Sequence, residues 1–144
     1  MLKRNHGHIV TIASSAGLVG VSKLTDYCAS KWAAVGFDES LRMELRSTSP
    51  GVKTTIVCPF FIDTGMFDGV KSRFARLLPI LSEEEATRRI IKAVSEEQPR
   101  LIMPALVGIV PVVRALPVWF FDKTADILGI NVSMDEFQGR SAPA

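Results

Sequence analysis

Two short runs of apolar and β-branched residues, 8–13 and 53–58, flank one long helical stretch over residues 26–46, and this order constrains the fold most. His8-Ile9-Val10-Thr11-Ile12-Ala13 reads as a buried strand, and so does the run from Lys53 to Cys58. Ser49-Pro50-Gly51 supplies the turn that separates helix from second strand. The order then repeats. Ser82 stands three residues before Glu85, a helix start with acidic charge on its positive end, and Ala86, Ile90 and Val94 mark one apolar face. Leu101-Ile102-Met103 is a short third strand. Strand–helix–strand–helix–strand specifies α/β architecture with a parallel sheet, half of a doubly wound fold.

At 144 residues the chain is one domain at most, and 47% apolar content is ample for a core. Seventeen basic against fifteen acidic residues leave a formal charge of +2, too even and too scattered for a nucleic-acid partner. Cys28 and Cys58 both fall in buried elements, which favours reduced thiols over a disulfide. His6 and His8 alternate at a strand entry, and with no further histidine to complete a site no metal is expected.

The chemistry concentrates at Ser14, Tyr27 and Lys31. Tyr27 and Lys31 are four residues apart, so a helix puts them on one face, one turn apart. A phenol ionises near ~10 and is a poor acid or base at neutral pH. An ammonium beside it favours the phenolate and brings proton transfer within reach. Ser14 closes the first strand, and ligands of open α/β sheets bind just beyond the carboxyl ends of strands. A hydroxyl there and a phenol at the start of the next helix can converge on one substrate oxygen.

Together, Ser14-x12-Tyr27-x3-Lys31, Gly7-His8-Ile9-Val10, Ser14-Ser15-Ala16-Gly17 and Val57-Cys58-Pro59 resemble the short-chain dehydrogenase/reductase family in order and spacing. The resemblance runs from Gly7 to about Met103. Its wording is closest to the branch of membrane-associated retinol dehydrogenases and 17-beta-hydroxysteroid-dehydrogenase-like lipid-droplet proteins. Met134-Asp135-Glu136-Phe137 resembles the retinol branch more loosely. The resemblance implies an NAD(P)-dependent oxidoreductase that interconverts a lipophilic alcohol and its carbonyl, retinol/retinal before steroid. It implies Tyr27 as acid/base, Ser14 orienting the substrate oxygen, and Lys31 tuning the tyrosine and holding the nicotinamide ribose. Pro59, Ile62 and Thr64 match positions that meet the cofactor. Phe60 stands where many members have glycine, a large ring near cofactor and substrate; the alternative is that Phe60 and Phe61 pack into the core.

The chain has no Gly-x3-Gly-x-Gly loop to cradle a pyrophosphate and no Asn-Asn-Ala-Gly element. The expected architecture is therefore the C-terminal half of a Rossmann-type domain over residues 1–104, without the nucleotide-binding half. An apolar extension over 105–144 faces substrate or membrane. The choice of NAD or NADP is left open. A second reading is a non-catalytic fragment or isoform that binds lipid or pairs with a full-length partner.

Two segments carry alternatives. The helix over 26–46 is dense in small residues, Cys28, Ala29, Ser30, Ala33, Ala34 and Gly36, which suit close packing on the sheet or, by resemblance, a homodimer interface. Residues 101–121 carry one charge, Arg114, and three prolines, Pro104, Pro111 and Pro117. That segment suits a surface-seeking element, a wall of an apolar pocket, or a membrane span, the last disfavoured by the prolines. Its apolar length, its prolines and the aromatic neighbours Trp119 and Phe120 are expected to hold the protein on the cytosolic face of the endoplasmic reticulum or on lipid droplets without crossing.

Overall fold

The computed structural model describes residues 1–67, 69–70 and 72–137. Three strands, β1 (Gly7–Ile12), β2 (Val52–Pro59) and β3 (Arg100–Met103), form one parallel sheet in the order β1-β2-β3. β1 pairs with β2 from Gly7↔Val52 to Ile12↔Val57, and β2 pairs with β3 from Ile56↔Arg100 to Pro59↔Met103. The crossovers are α1 (Thr25–Thr48) and α2 (Glu83–Ser95).

β2 is the axis of the core because it is paired on both sides. Its side chains alternate between two apolar clusters, as the two-residue period of a strand requires. Ile56 and Cys58 pack with Ala13, Leu18 and Val107 and with Ala34 and Val35 of α1. Val57 packs on the other face with Met103 and with Ala86 and Ile90 of α2. Ser82 caps α2 by accepting from the Glu85 N–H at 3.2 Å, as the sequence pattern predicts. Arg88 and Arg89 both bond the Glu85 carboxylate and hold its pKa below the usual range.

The remaining chain folds back over the carboxyl ends of the strands. A 3-10 turn at Ala105–Ile109 leads to α3 (Val110–Arg114) and α4 (Val118–Leu128). Of the three readings of residues 101–121, the span finds no support: no helix among the described residues is long and apolar enough to cross a membrane. Val107 enters the first core cluster, whereas Val118 and Trp119 are 75% and 68% exposed. Arg114 is exposed but packs against two rings. Its guanidinium lies 4.4 Å from the centre of the Trp32 ring of α1 and 5.6 Å from that of Phe121. A cation between two rings thus clips the C-terminal helices to α1.

The small residues of α1 divide between two faces. Cys28 is buried and Ala34 packs on the core, while Ala29, Ser30, Ala33 and Gly36 are exposed. The outer edge of β1 is unpaired among the described residues, and Val10 and Ile12 beside it are 40% and 53% exposed. His8 Nε2 lies 2.7 Å from Thr55 Oγ1, which itself donates to the Gln98 carbonyl at 2.7 Å, so the imidazole is the donor.

Asp38 is the exception in this core. It is 1% exposed, and among the described residues neither carboxylate oxygen has a hydrogen bond of normal geometry, although the Thr11 side chain faces it. Burial pushes its pKa above the usual carboxylate range; the Thr11 side chain and the guanidinium groups of Arg42 and Arg100 pull it back only in part. A carboxyl with a raised folded-state pKa binds its proton more tightly when folded. Its contribution is therefore present at low pH and lost as pH rises through the folded-state pKa. Asp38→Asn removes the buried charge and is expected to raise stability at pH 8 by about 1 kcal/mol, the scale of an unsatisfied buried polar group. Urea denaturation at pH 8 and pH 4 measures it, with the gain shrinking at the lower pH.

Candidate active site

β1 delivers Ser14 to the carboxyl end of the sheet. The ladder runs one residue past the strand, with the Ala13 N–H donating to the Val57 carbonyl at 2.8 Å, and the chain then turns into a short 3-10 turn at Ser15–Gly17. The Ser14 hydroxyl accepts from the Ala16 N–H at 3.1 Å and points its own proton at the Pro59 carbonyl, 3.5 Å away. That second bond is at the long limit, so the proton is weakly held and free to turn to another oxygen.

Gly17 determines how closely this turn meets α1. A Cβ at Gly17 would lie 2.6 Å from the Lys31 carbonyl oxygen and 2.9 Å from Val35 Cγ2. Only a glycine lets the turn rest directly on the helix backbone at Lys31. Composition alone gave no sign of this; the sequence shows Gly17 only as a loop residue.

Tyr27 is the third residue of α1 and Lys31 follows one turn later. The Lys31 ammonium donates to the Ile12 carbonyl at 3.3 Å and lies 5.5 Å from the centre of the Tyr27 ring. The phenol also meets Phe67 edge to face, ring centres 6.1 Å apart at 79°. Ser14, Tyr27 and Phe60 line one cavity of about 250 Å³. Apart from the hydroxyls of Ser14, Ser15, Tyr27 and Ser133, its wall is aliphatic and aromatic, with Phe61, Phe67, Leu78 and Val107 among its side chains.

The other site positions lie around this cavity. Pro59 is buried at the end of β2, beneath Ser14. Ile62 makes a parallel bridge with Leu81 and faces a second cleft shared with Asp63, Gly65 and Ser82. Thr64 is exposed, its N–H donating to the Ile62 carbonyl at 2.9 Å. Phe61 is buried against Val70 and Met134, while Phe60 bridges that cluster and the core and also meets the cavity. Phe60 and Phe61 stack edge to face at 4.5 Å. Cys58 is fully buried beside the site, and burial pushes its thiol up to about 11, so it offers no thiolate; Cys28 and Cys58 are both free.

A family profile described as short chain dehydrogenase matches residues 1–74, just over half of the chain. Over 142 residues the sequence is 49% identical to epidermal retinol dehydrogenase 2 of Mus musculus, covering 97% of this chain and 46% of that protein. It is 45% identical to short-chain dehydrogenase/reductase family 16C member 6 of Bos taurus, covering 95% and 44%. It is 44% identical to retinol dehydrogenase 10 of Rattus norvegicus over 119 residues, covering 81% and 35%. The chain thus spans about half the length of the curated relatives it matches. A short chain dehydrogenase from Burkholderia cenocepacia J2315 in complex with NADP shares the fold, with a TM-score of 0.62, 24% identity and coverage of 88% of this chain and 49% of that one. A short chain dehydrogenase/reductase from Burkholderia phymatum in complex with NAD gives a TM-score of 0.61 at 21% identity, covering 100% and 54%. The sheet and crossovers are therefore the Rossmann-type half that the sequence order implies.

The Gly17 contact gives a direct test. Gly17→Ala forces the turn away from Lys31 and is expected to destabilise the fold by about 1–3 kcal/mol, the usual cost of overpacking. Gly20→Ala, whose Cβ meets nothing within 4 Å, is the matched control and is expected to leave stability unchanged. Thermal unfolding of the two variants makes the comparison.

Proposed function

Because this chain belongs to the short chain dehydrogenase family, we propose that it forms the substrate and proton-transfer half of an NAD(P)-dependent oxidoreductase acting on a lipophilic alcohol or its carbonyl. The observation that carries this reading is the apolar cavity with Ser14 and Tyr27 on its wall. An alcohol with a long hydrocarbon body buries that body against Phe, Leu and Val side chains and leaves its one oxygen to the two hydroxyls. Retinol or retinal is the preferred substrate and a steroid the next, on the strength of the relatives named retinol dehydrogenases.

Tyr27 takes the hydroxyl proton as the alcohol is oxidised and returns it when the carbonyl is reduced. Ser14 turns its proton from the distant Pro59 carbonyl to the substrate oxygen and fixes its direction. The Lys31 ammonium stands beside the phenol and stabilises negative charge on its oxygen as the proton leaves. A nicotinamide cofactor, when bound, supplies or accepts the hydride. Lys31 suits such a group: it has three donors, spends one on the Ile12 carbonyl, and keeps two for ribose hydroxyls. Tyr27, Lys31, Pro59, Ile62 and Thr64 are the residues that would hold it.

The exposed apolar side of α3 and α4, with Val112, Val118 and Trp119, supports peripheral attachment to the cytosolic face of the endoplasmic reticulum or to lipid droplets. The outer face of α1, with Ala29, Ala33, Gly36 and Phe37 exposed, supports pairing with a second copy.

In an enzyme of full family length carrying this chain, Tyr27→Phe is expected to reduce kcat at least a hundredfold, about the scale of acid–base catalysis, with cofactor affinity largely kept because the ring stays in place. Lys31→Ala harms both, and Ser14→Ala costs less than Tyr27→Phe. Steady-state kinetics with retinol decides; a Tyr27→Phe enzyme with a tenth or more of wild-type activity ends the assignment. For the membrane, wild-type protein is expected to float with phosphatidylcholine vesicles and the Val118→Asp/Trp119→Asp variant to stay in the aqueous fraction. Wild-type protein that does not float returns this surface to another role.

A further inference from the structure

Residues 133–137 reach back to the phenol through aromatic contacts that lie outside the acid–base group itself. Ser133 lines the cavity, and Met134 is 3% exposed, buried with Phe61 and Val70. The Lys23 ammonium meets Asp135 Oδ1 at 2.5 Å, tying the same segment to the loop that leads into α1, two residues before the helix starts. The Phe137 ring lies 6.1 Å from Phe67, tilted by 44°, and Phe67 lies 5.1 Å from Phe61 and 6.1 Å edge-on from Tyr27. Phe67 itself belongs to the irregular stretch between β2 and α2, with no regular secondary structure to hold it. Its position is set by what packs on it.

We propose that residues 133–137 are a strap that positions Tyr27: Phe137 and Met134 hold Phe67 in place, and Phe67 holds the phenol by its edge-to-face contact. The inference rests on the reading of Tyr27 as acid/base. It assigns Phe67 and Phe137 as positioning residues. Phe67 touches the cavity and so also meets substrate, but Phe137 does not line it. The ring contact with Phe67 is the route by which Phe137 would act on turnover. The exposed Lys23–Asp135 pair adds little by itself, as surface ion pairs do, and its part is to fix the strap's register.

The distinguishing experiment uses an enzyme of full family length carrying this chain and the variants Phe137→Ala, Phe137→Tyr, Phe67→Ala and the double alanine. Phe137 is 41% exposed, so its truncation leaves the fold intact, which a melting curve verifies. The expected result is a kcat about fivefold lower for Phe137→Ala, with KM for substrate and cofactor within twofold, and near wild-type kcat for Phe137→Tyr, which keeps the ring. The double variant is expected to match Phe67→Ala, because two residues acting through one chain of contacts are not additive. A Phe137→Ala enzyme with wild-type kcat overturns the strap, and so does a double variant worse than Phe67→Ala by the full Phe137 factor. Should Phe67→Ala fail to fold, Phe137→Ala against Phe137→Tyr decides alone. Tyr27→Phe is the control on the underlying reading: if it stays active, the acid–base assignment fails first, whereas an inactive Tyr27→Phe beside an unaffected Phe137→Ala refutes the strap only.

Discussion

The candidate site depends on one contact that contains no functional group: the backbone of Gly17 against the backbone of Lys31. Ser14 belongs to the end of β1 and Tyr27 to the start of α1, and ten residues of loop and turn separate Ser14 from the helix. Had the turn after Ser14 been held off by a single methyl, the serine would still end its strand and the tyrosine would still start its helix. They would not share a cavity wall in the same way. Because Gly17 lies flat on the helix, the Ile12 carbonyl also comes within reach of the Lys31 ammonium, and this bond holds the lysine beside the phenol.

The cavity wall follows from the same economy. Its polar groups are hydroxyls, and those of Ser14 and Ser133 are bonded locally, Ser133 to the Ile130 carbonyl at 2.7 Å. A cavity that is otherwise apolar discriminates by what it leaves unpaired: a ligand oxygen placed away from the hydroxyls of Ser14, Ser15, Tyr27 and Ser133 finds no partner on the described wall and bears its full desolvation cost. The aromatic rings of Phe60, Phe61, Phe67 and Phe137 extend this wall outwards to the surface. They tie the loop after β2 and the C-terminal strap into one apolar cluster with Met134.

Apolar surface is also left uncovered, and in separate places. Val10 and Ile12 flank the open edge of β1, Phe37 and Met43 stand out from α1, and Val112, Val118 and Trp119 from α3 and α4. Single exposed apolar residues are ordinary, but clusters beside an unpaired strand edge or on adjoining helices mark surfaces suited to further contacts. Arg114 sits among these exposed residues, its guanidinium over the Trp32 and Phe121 rings, and so ties this surface to α1.

The alternation of elements was legible in the sequence because each signal is local. A run of β-branched residues makes β1 and β2, Ser82 with Glu85 starts α2, and the spacing of Tyr27 and Lys31 puts them on one face of α1 whatever the rest of the chain does. The observed bounds differ from the expected ones by only one or two residues, Thr25–Thr48 against 26–46 for α1 and Val52–Pro59 against 53–58 for β2. Site residues that belong to a strand end or a helix were equally legible, since those elements fix where Ser14, Tyr27 and Lys31 point. What only the tertiary structure decided is everything set by contact between distant segments. Gly17 looks like any loop glycine until Lys31, fourteen residues on, is laid against it. Phe67 sits in a stretch without periodicity, and nothing local links it to Phe137 or to Tyr27. Asp38 occupies a helix position that a solvent-facing acid would also suit, and its burial appears only once α1 lies on the sheet. Local sequence determines which elements form, because propensity and hydrogen bonding act over a few residues. Packing determines which side chains meet, because close approach depends on shapes that the chain brings together only when folded.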